Sequence, residues 1–246
     1  MQEPAYFGKI PTVADFLHQG LSMSKFDEWA DVAASWFLGK LDDADPDWKA
    51  RVVSAPLWRF LIPDGVIAES GFYGVMAGSM DKARRVFPFV VLIPQSIASA
   101  SLDHVFRLSR ILDGLESQTL GFLAGETDQT QFRDQLAGLM VNQPVLNSDA
   151  APIDAGFRRY PATCFSDCHV RPDGLSVGSS FVLDRMPDRP KGGGAGDRWS
   201  LWWHEGASNR PAEVCIVNGL PYGPSFVSLF LANWNWYGWR EETTTG

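Results

Sequence analysis

Cysteine is scarce in this chain of 246 residues, and the three present, Cys164, Cys168 and Cys215, are too few and odd in number for a disulfide framework. Positive charge is in deficit: 21 Lys and Arg stand against 29 Asp and Glu, a net charge of -8 with no basic block. That balance argues against a partner recognised through nucleic-acid phosphates or anionic lipid. Long apolar runs are missing too. The longest, Phe87 to Pro94, is eight residues, against about 20 for a membrane-spanning helix. The opening Met1-Gln2-Glu3-Pro4 has neither the positive nor the apolar region of a secretory signal. No period of roughly 20–50 residues repeats, which excludes a solenoid or propeller. The expectation is a protein of the reducing cytosol, without membrane insertion.

Against these absences stands an ordinary globular composition, 45% hydrophobic and 20% charged, with ten tryptophans. Ser24-Lys25-Phe26-Asp27 resembles a capping box, and Phe26, Trp29, Ala33, Trp36 and Phe37 follow at helical spacing. Asp45-Pro46 reads as the start of a short helix ending before Pro56. Leu57 to Ile62, Phe72 to Ala77 and Phe89 to Ile93 are predicted strands. A helix after Ser101 carries Leu102, Val105, Phe106, Leu108, Leu112 and Leu115 on one stripe. Another after Asp128 carries Phe132, Leu136, Leu139 and Met140 and stops before Pro144. Strands return at 162–171, 175–183, 199–204 and 213–217, and residues 224–236 read as a last helix. Both strand-rich regions are expected to join one mixed, largely antiparallel sheet covered by helices, in a single domain over 1–246 of α/β class. Lys191 to Gly196 is read as a mobile glycine-rich loop within that domain.

Motifs for chemistry fail on context. Gly174-Leu175-Ser176-Val177-Gly178 matches the nucleophile-elbow pattern, and Asp184 and His204 follow in hydrolase order. An elbow needs a strand before the serine and a helix after it. Here a Pro-Asp-Gly turn precedes Ser176 and a β-favouring run follows. A serine hydrolase using Ser176 is therefore the alternative, not the preferred reading. Cys164-x-x-x-Cys168-His169 offers thiolate and imidazole but lacks the second ligand pair of a closed zinc site. Asp43-x-Asp45-x-Asp47 begins like a calcium loop, but Trp48 and Ser54 occupy the positions that need Gly and Glu. The glycine-rich loop has no Gly-Lys-Ser/Thr ending, and the four histidines form no H-E-x-x-H pair. No catalytic residue, metal or cofactor is expected.

Two features are unusual. Six tryptophans, Trp199, Trp202, Trp203, Trp234, Trp236 and Trp239, fall in the last 48 residues. In a strand Trp202 and Trp203 must point to opposite faces, so one is free to anchor an interface, where Trp and Arg are enriched. The second feature is charge set in apolar, Gly- and Pro-rich frames: Lys9 with Asp15, Arg59 after Trp58, and Asp81 with Arg84 and Arg85. Charges in such frames are tolerated when paired. Asp15 and Asp81 are expected to form structural ion pairs. Lys9 and Arg85 either join them or line the rim of a groove, where an anionic small ligand is a further alternative. The candidate binding set is Lys9, Trp58, Arg59, Arg85, Trp202 and Trp203.

The same frames carry a family resemblance. Phe7-Gly8-Lys9-Ile10-Pro11-Thr12-Val13-Ala14-Asp15-Phe16 resembles the F-G-K-L-P-x-x-G-D-F opening of the TagF/ImpM family of type VI secretion-associated proteins. Ala55-Pro56-Leu57-Trp58-Arg59-Phe60 is similar to its A-P-x-W-R-F, and Ser79 to Pro88 to its S-V-D-R-V-G-R-x-F-P. Ser200-Leu201-Trp202-Trp203 and Gly219-Leu220-Pro221 resemble its C-terminal signatures. Ala14 and Arg84 stand where the family pattern has Gly, and Gly78 stands where Pro often precedes the serine. The resemblance implies an α/β/α sandwich. It also implies a cytoplasmic, non-catalytic protein that represses type VI secretion after translation by binding a forkhead-associated scaffold protein.

Overall fold

A computed structural model describes residues 3–20, 46–98, 100, 102–141, 143, 146, 168–171, 199–207, 210, 212–221, 224–232, 234 and 240–241. The strands are β1 (Ala5–Gly8), β2 (Leu17–Gln19), β3 (Trp58–Ile62), β4 (Phe72–Ala77), β5 (Phe89–Pro94), β6 (Cys168–Arg171), β7 (Trp199–His204), β8 (Glu213–Asn218) and β9 (Arg240–Glu241). The helices are α1 (Trp48–Val53), α2 (Leu102–Leu123), α3 (Gln129–Met140) and α4 (Pro224–Leu231). All nine strands form one sheet in the order β2-β1-β5-β4-β3-β7-β8-β6-β9. Every pairing is antiparallel except β6 with β9. The two strand-rich regions meet where β3 pairs with β7, Arg59 opposite Trp203 and Phe60 opposite Trp202.

Both faces of the sheet are covered, so β3, β4 and β5 are apolar along nearly their whole length rather than alternating with polar residues. Tyr6, Leu61, Tyr73, Val75, Val91 and Trp203 pack under α2 and α3. Phe7, Trp58, Phe60, Met76, Leu92 and Trp202 pack on the other side, against α1 and α4. The result is the α/β/α sandwich that the resemblance implies. Between α2 and α3 the Phe122 and Phe132 rings stack with centroids 4.2 Å apart, and Tyr6 meets Phe132 edge-on. Asp128 and Gln131 exchange side-chain and backbone hydrogen bonds in a capping box that fixes the start of α3. Gly78 is required by contact: a Cβ there would lie 1.9 Å from the Val52 carbonyl oxygen at the end of α1.

The structure corrects several expectations. The last helix stops at Leu231, because Ala232 adopts φ 57° and donates its N–H back to the Ser228 carbonyl. Phe106 lies off the buried stripe of α2 and is 66% exposed. Strands β1 and β2 were not foreseen, being too short for alternation to register. The helix expected over 24–37, the strand over 175–183 and the loop 191–196 lie outside the described residues.

Trp202 and Trp203 do point to opposite faces, but neither reaches solvent: they are 1% and 2% exposed. A helical layer covers each face of the sheet, leaving no open side for either indole. Truncating Trp203 to Ala is therefore expected to lower unfolding free energy by about 3–5 kcal/mol, as a buried aromatic does. The exposed Phe106→Ala should change it by less than about 0.5 kcal/mol. Urea denaturation measures both.

Candidate functional site

The registers Gly8 with Phe89, Ala77 with Phe89, Trp58 with Met76 and His204 with Glu213 place the unusual charges together. At this one end of the sheet β1, β4 and β7 finish while β3, β5 and β8 begin. Three charged clusters line it.

The first is built on Asp81, which is 1% exposed. Its carboxylate accepts the Lys9 ammonium at 3.1 Å, the Arg85 Nε at 2.7 Å and the Arg85 backbone amide at 2.9 Å. Arg85 also donates Nη2 to the Ala14 carbonyl at 2.6 Å, and the Lys82 amide donates to the Val13 carbonyl at 2.9 Å. The loop after β4 is thereby joined to the loop after β1. Lys9 lies 4.9 Å above the Phe16 ring, which meets Phe87 edge-on. Burial alone would raise the Asp81 carboxyl. The Arg85 amide, the Lys9 and Arg85 hydrogen bonds and the Lys9 charge overcome it and hold the group far below the usual carboxylate range.

Lys9 and Asp81 are thus a structural pair, and the anion held between Lys9 and Arg85 is the chain's own carboxylate. The Arg85 side chain joins the pair with Asp81 while remaining 62% exposed. Asp15 is corrected. Among the described residues its carboxylate accepts the adjacent Phe16 amide instead of pairing with a cation, because the residue sits at an exposed loop tip. Ala14 avoids positive φ, whereas Arg84 adopts φ 62°.

The second cluster surrounds Arg59, whose backbone lies in β3. Its guanidinium reaches Glu116 at 2.7 Å, Asp113 at 2.9 Å and Glu205 at 3.3 Å. Asp113 and Glu116 are three residues apart on α2, so one helical face presents both. The third cluster is buried between Trp58 and Trp234. Glu213 accepts from His204 Nε2 at 2.9 Å, from Arg210 Nε and from the Trp234 indole at 3.1 Å. The Gly206 amide donates to His204 Nδ1 at 2.9 Å, which makes Nε2 the protonated nitrogen of a neutral ring. Arg210 also caps α4 through the Leu229 and Phe230 carbonyls, where the helix dipole favours a cation. Burial pulls the Arg210 guanidinium below its ordinary value, and Glu213 opposes that. Trp58 donates its indole N–H to the Leu229 carbonyl at 2.8 Å.

The structure therefore gathers Lys9, Trp58, Arg59, Arg85, Trp202 and Trp203 around one end of the sheet, but in different roles. The three tryptophans form the packed backing, with Arg59 and Arg85 nearer the surface. Sequence reasoning missed the carboxylates on Arg59 and the whole His204–Glu213–Arg210 cluster. The spacing of Asp113 and Glu116 was a faint signal for the former. Cys164, Ser176, Asp184, Asp43 and Asp45 lie outside the described residues. Among those described, no group of three or more His, Cys, Asp or Glu could hold a metal ion, and no helix is long and apolar enough to cross a membrane. A cleft of about 180 Å³ opens between β1 and α3, beside Pro4, Tyr6 and Arg133, at the opposite end of β1 from Lys9.

The family described as TagF N-terminal domain, type VI secretion system-associated, matches residues 5–139. The chain belongs to this family. The matched segment holds the Asp81 cluster together with Arg59, Asp113 and Glu116. The crystal structure of PA0076 from Pseudomonas aeruginosa PAO1 resembles this TagF-family chain with a TM-score of 0.62 and 22% identity. The likeness covers 93% of this chain and 94% of that one, and it speaks to the fold. No curated protein matches.

Two stability measurements probe this end of the TagF-family fold. Because the folded-state Asp81 carboxyl is held low, its contribution is complete above the unfolded value of about 3.9 and is lost as pH falls toward the folded value. The stability gap between the native chain and Asp81→Asn, followed by melting temperature, should stay wide from pH 7 down to about pH 4 and shrink progressively as the pH falls further. At Arg84, a glycine relieves the positive φ, so Arg84→Gly is expected to gain about 0.5–1 kcal/mol in urea denaturation.

Proposed function

We propose that this TagF-family chain is a non-catalytic cytoplasmic negative regulator of type VI secretion, acting after translation by binding a forkhead-associated scaffold protein. The observation that carries the reading is that, among the described residues, Lys9, Arg85 and His204 are engaged with groups of the chain itself. Lys9 and Arg85 close on Asp81, so the seat for a small anion is filled from within. His204 has both ring nitrogens in hydrogen bonds, which leaves no lone pair to take a proton from Ser176. What these pairings produce is shape: exposed Arg85, Asp113 and Glu205 side chains above a buried aromatic base. Exposed charges held in place by ion pairs, on a packed base, offer a partner a preorganised polar surface. Family membership supplies the association with type VI secretion.

Repression needs only differential affinity. A protein that binds the free scaffold more tightly than the assembling one draws the population away from assembly. The test has two arms. Immobilised full-length chain should retain purified forkhead-associated scaffold. Its overproduction in a secretion-competent cell should empty the medium of secreted substrate while the cellular amount of that substrate is maintained. A scaffold that is not retained, together with unchanged secretion, would contradict the reading.

A further inference from the structure

The loop that Asp81 organises carries an excess of positive charge on a chain that is otherwise acidic. Lys82, Arg84 and Arg85 are all exposed, and Lys9 lies beneath them. Within the two loop segments 9–16 and 81–85, the four cations Lys9, Lys82, Arg84 and Arg85 stand against the two carboxylates Asp15 and Asp81, on a molecule of net charge -8. The Lys9 and Arg85 charges are tied to Asp81. Lys82 and Arg84 have no ion pair or side-chain hydrogen bond among the described residues. Beside them the Phe16 ring is 40% exposed and fixed between Lys9 and Phe87. Val13 is also exposed, and its carbonyl is held by the Lys82 amide.

Exposed Phe and Arg residues on one pair of joined loops are of the types enriched at protein interfaces. The backbone here is already set by three links between the loops, Lys9–Asp81, Arg85–Ala14 and Lys82–Val13. A partner therefore meets a preorganised surface and does not have to order it. Arg84 adds a second indication. It holds a left-handed backbone that strains a side chain, at an exposed position. Folding alone would be better served there by glycine.

We propose that the loop 82–85, with Phe16 and Val13, is a docking surface for an acidic segment of a partner protein. Carboxylates of that segment meet Lys82, Arg84 and the exposed part of Arg85, and an apolar side chain covers Phe16. The opposite local charge is complementary to such a segment, whereas the negative remainder of the molecule repels it and so orients the approach. This surface rests on the reading above that the protein works by binding another protein, and it says where that contact is made.

The test titrates full-length chain against purified forkhead-associated scaffold and, separately, against a labelled glutamate- and aspartate-rich peptide carrying one phenylalanine. The variants are Lys82→Glu with Arg84→Glu, Phe16→Ser, and Arg84→Gly. The charge reversal should weaken scaffold binding by about tenfold or more and flatten its salt dependence. Phe16→Ser should also weaken it. Arg84→Gly should bind more weakly although its fold is more stable, which separates contact from folding. Scaffold binding that is unchanged in all three overturns this surface and leaves the regulator reading standing. Should the scaffold bind no form at all, the regulator reading falls and the acidic peptide decides the surface. Peptide binding that the charge reversal removes supports it, and no peptide binding overturns it. Binding to anionic vesicles without either protein probe would overturn it in favour of lipid.

Discussion

The carboxylate of Asp81 is the constraint on which this end of the molecule depends. It lies below the surface, and a buried charge is stable only when paired and hydrogen-bonded. Lys9, from the end of β1, and Arg85, from the loop after β4, supply those partners. Two loops far apart in sequence are thus held in one geometry by one acid. Without it Lys9 and Arg85 would repel one another, and Lys9 would be left as an unpaired charge beside the Phe16 ring.

Behind these loops the sheet supplies stiffness. Trp58 and Trp202 fill the layer on one face and Trp203 the other, while Arg59, next to Trp58 on β3, faces α2. Adjacent residues of a strand must diverge to opposite faces, so one short motif anchors two layers at once. The indole N–H groups of Trp58, Trp202 and Trp234 each have an acceptor, which lets large rings be buried without loss. A surface on such a base changes little on binding. That suits the proposed role, in which the chain occupies a partner rather than transforming it.

Much of this was legible in the sequence because the signals were local. The strands over 72–77 and 199–204 and the helices after Ser101 and Asp128 stand where periodicity and capping put them. The antiparallel sheet followed from hairpin-length spacings. The charges in Gly- and Pro-rich frames were visible as anomalies, and Lys9 with Asp81 proved to be a pair. What was not legible depends on long-range packing. The burial of Trp203 follows from α2 and α3 lying over its face, which no property of residues 199–204 reveals. The Arg210–Glu213–His204 cluster joins a loop residue to two strand ends around the C-terminus of α4. Asp15 was expected to form a structural ion pair, but its exposed position let a backbone amide satisfy it instead.

Hydrogen–deuterium exchange of the full chain, free and with purified forkhead-associated scaffold, addresses the central claim most directly. The account predicts that the scaffold slows exchange at amides of residues 12–16 and 82–85 while the sheet behind them is unaltered. Protection confined to another face, such as the exposed side of α2 around Phe106, would contradict it.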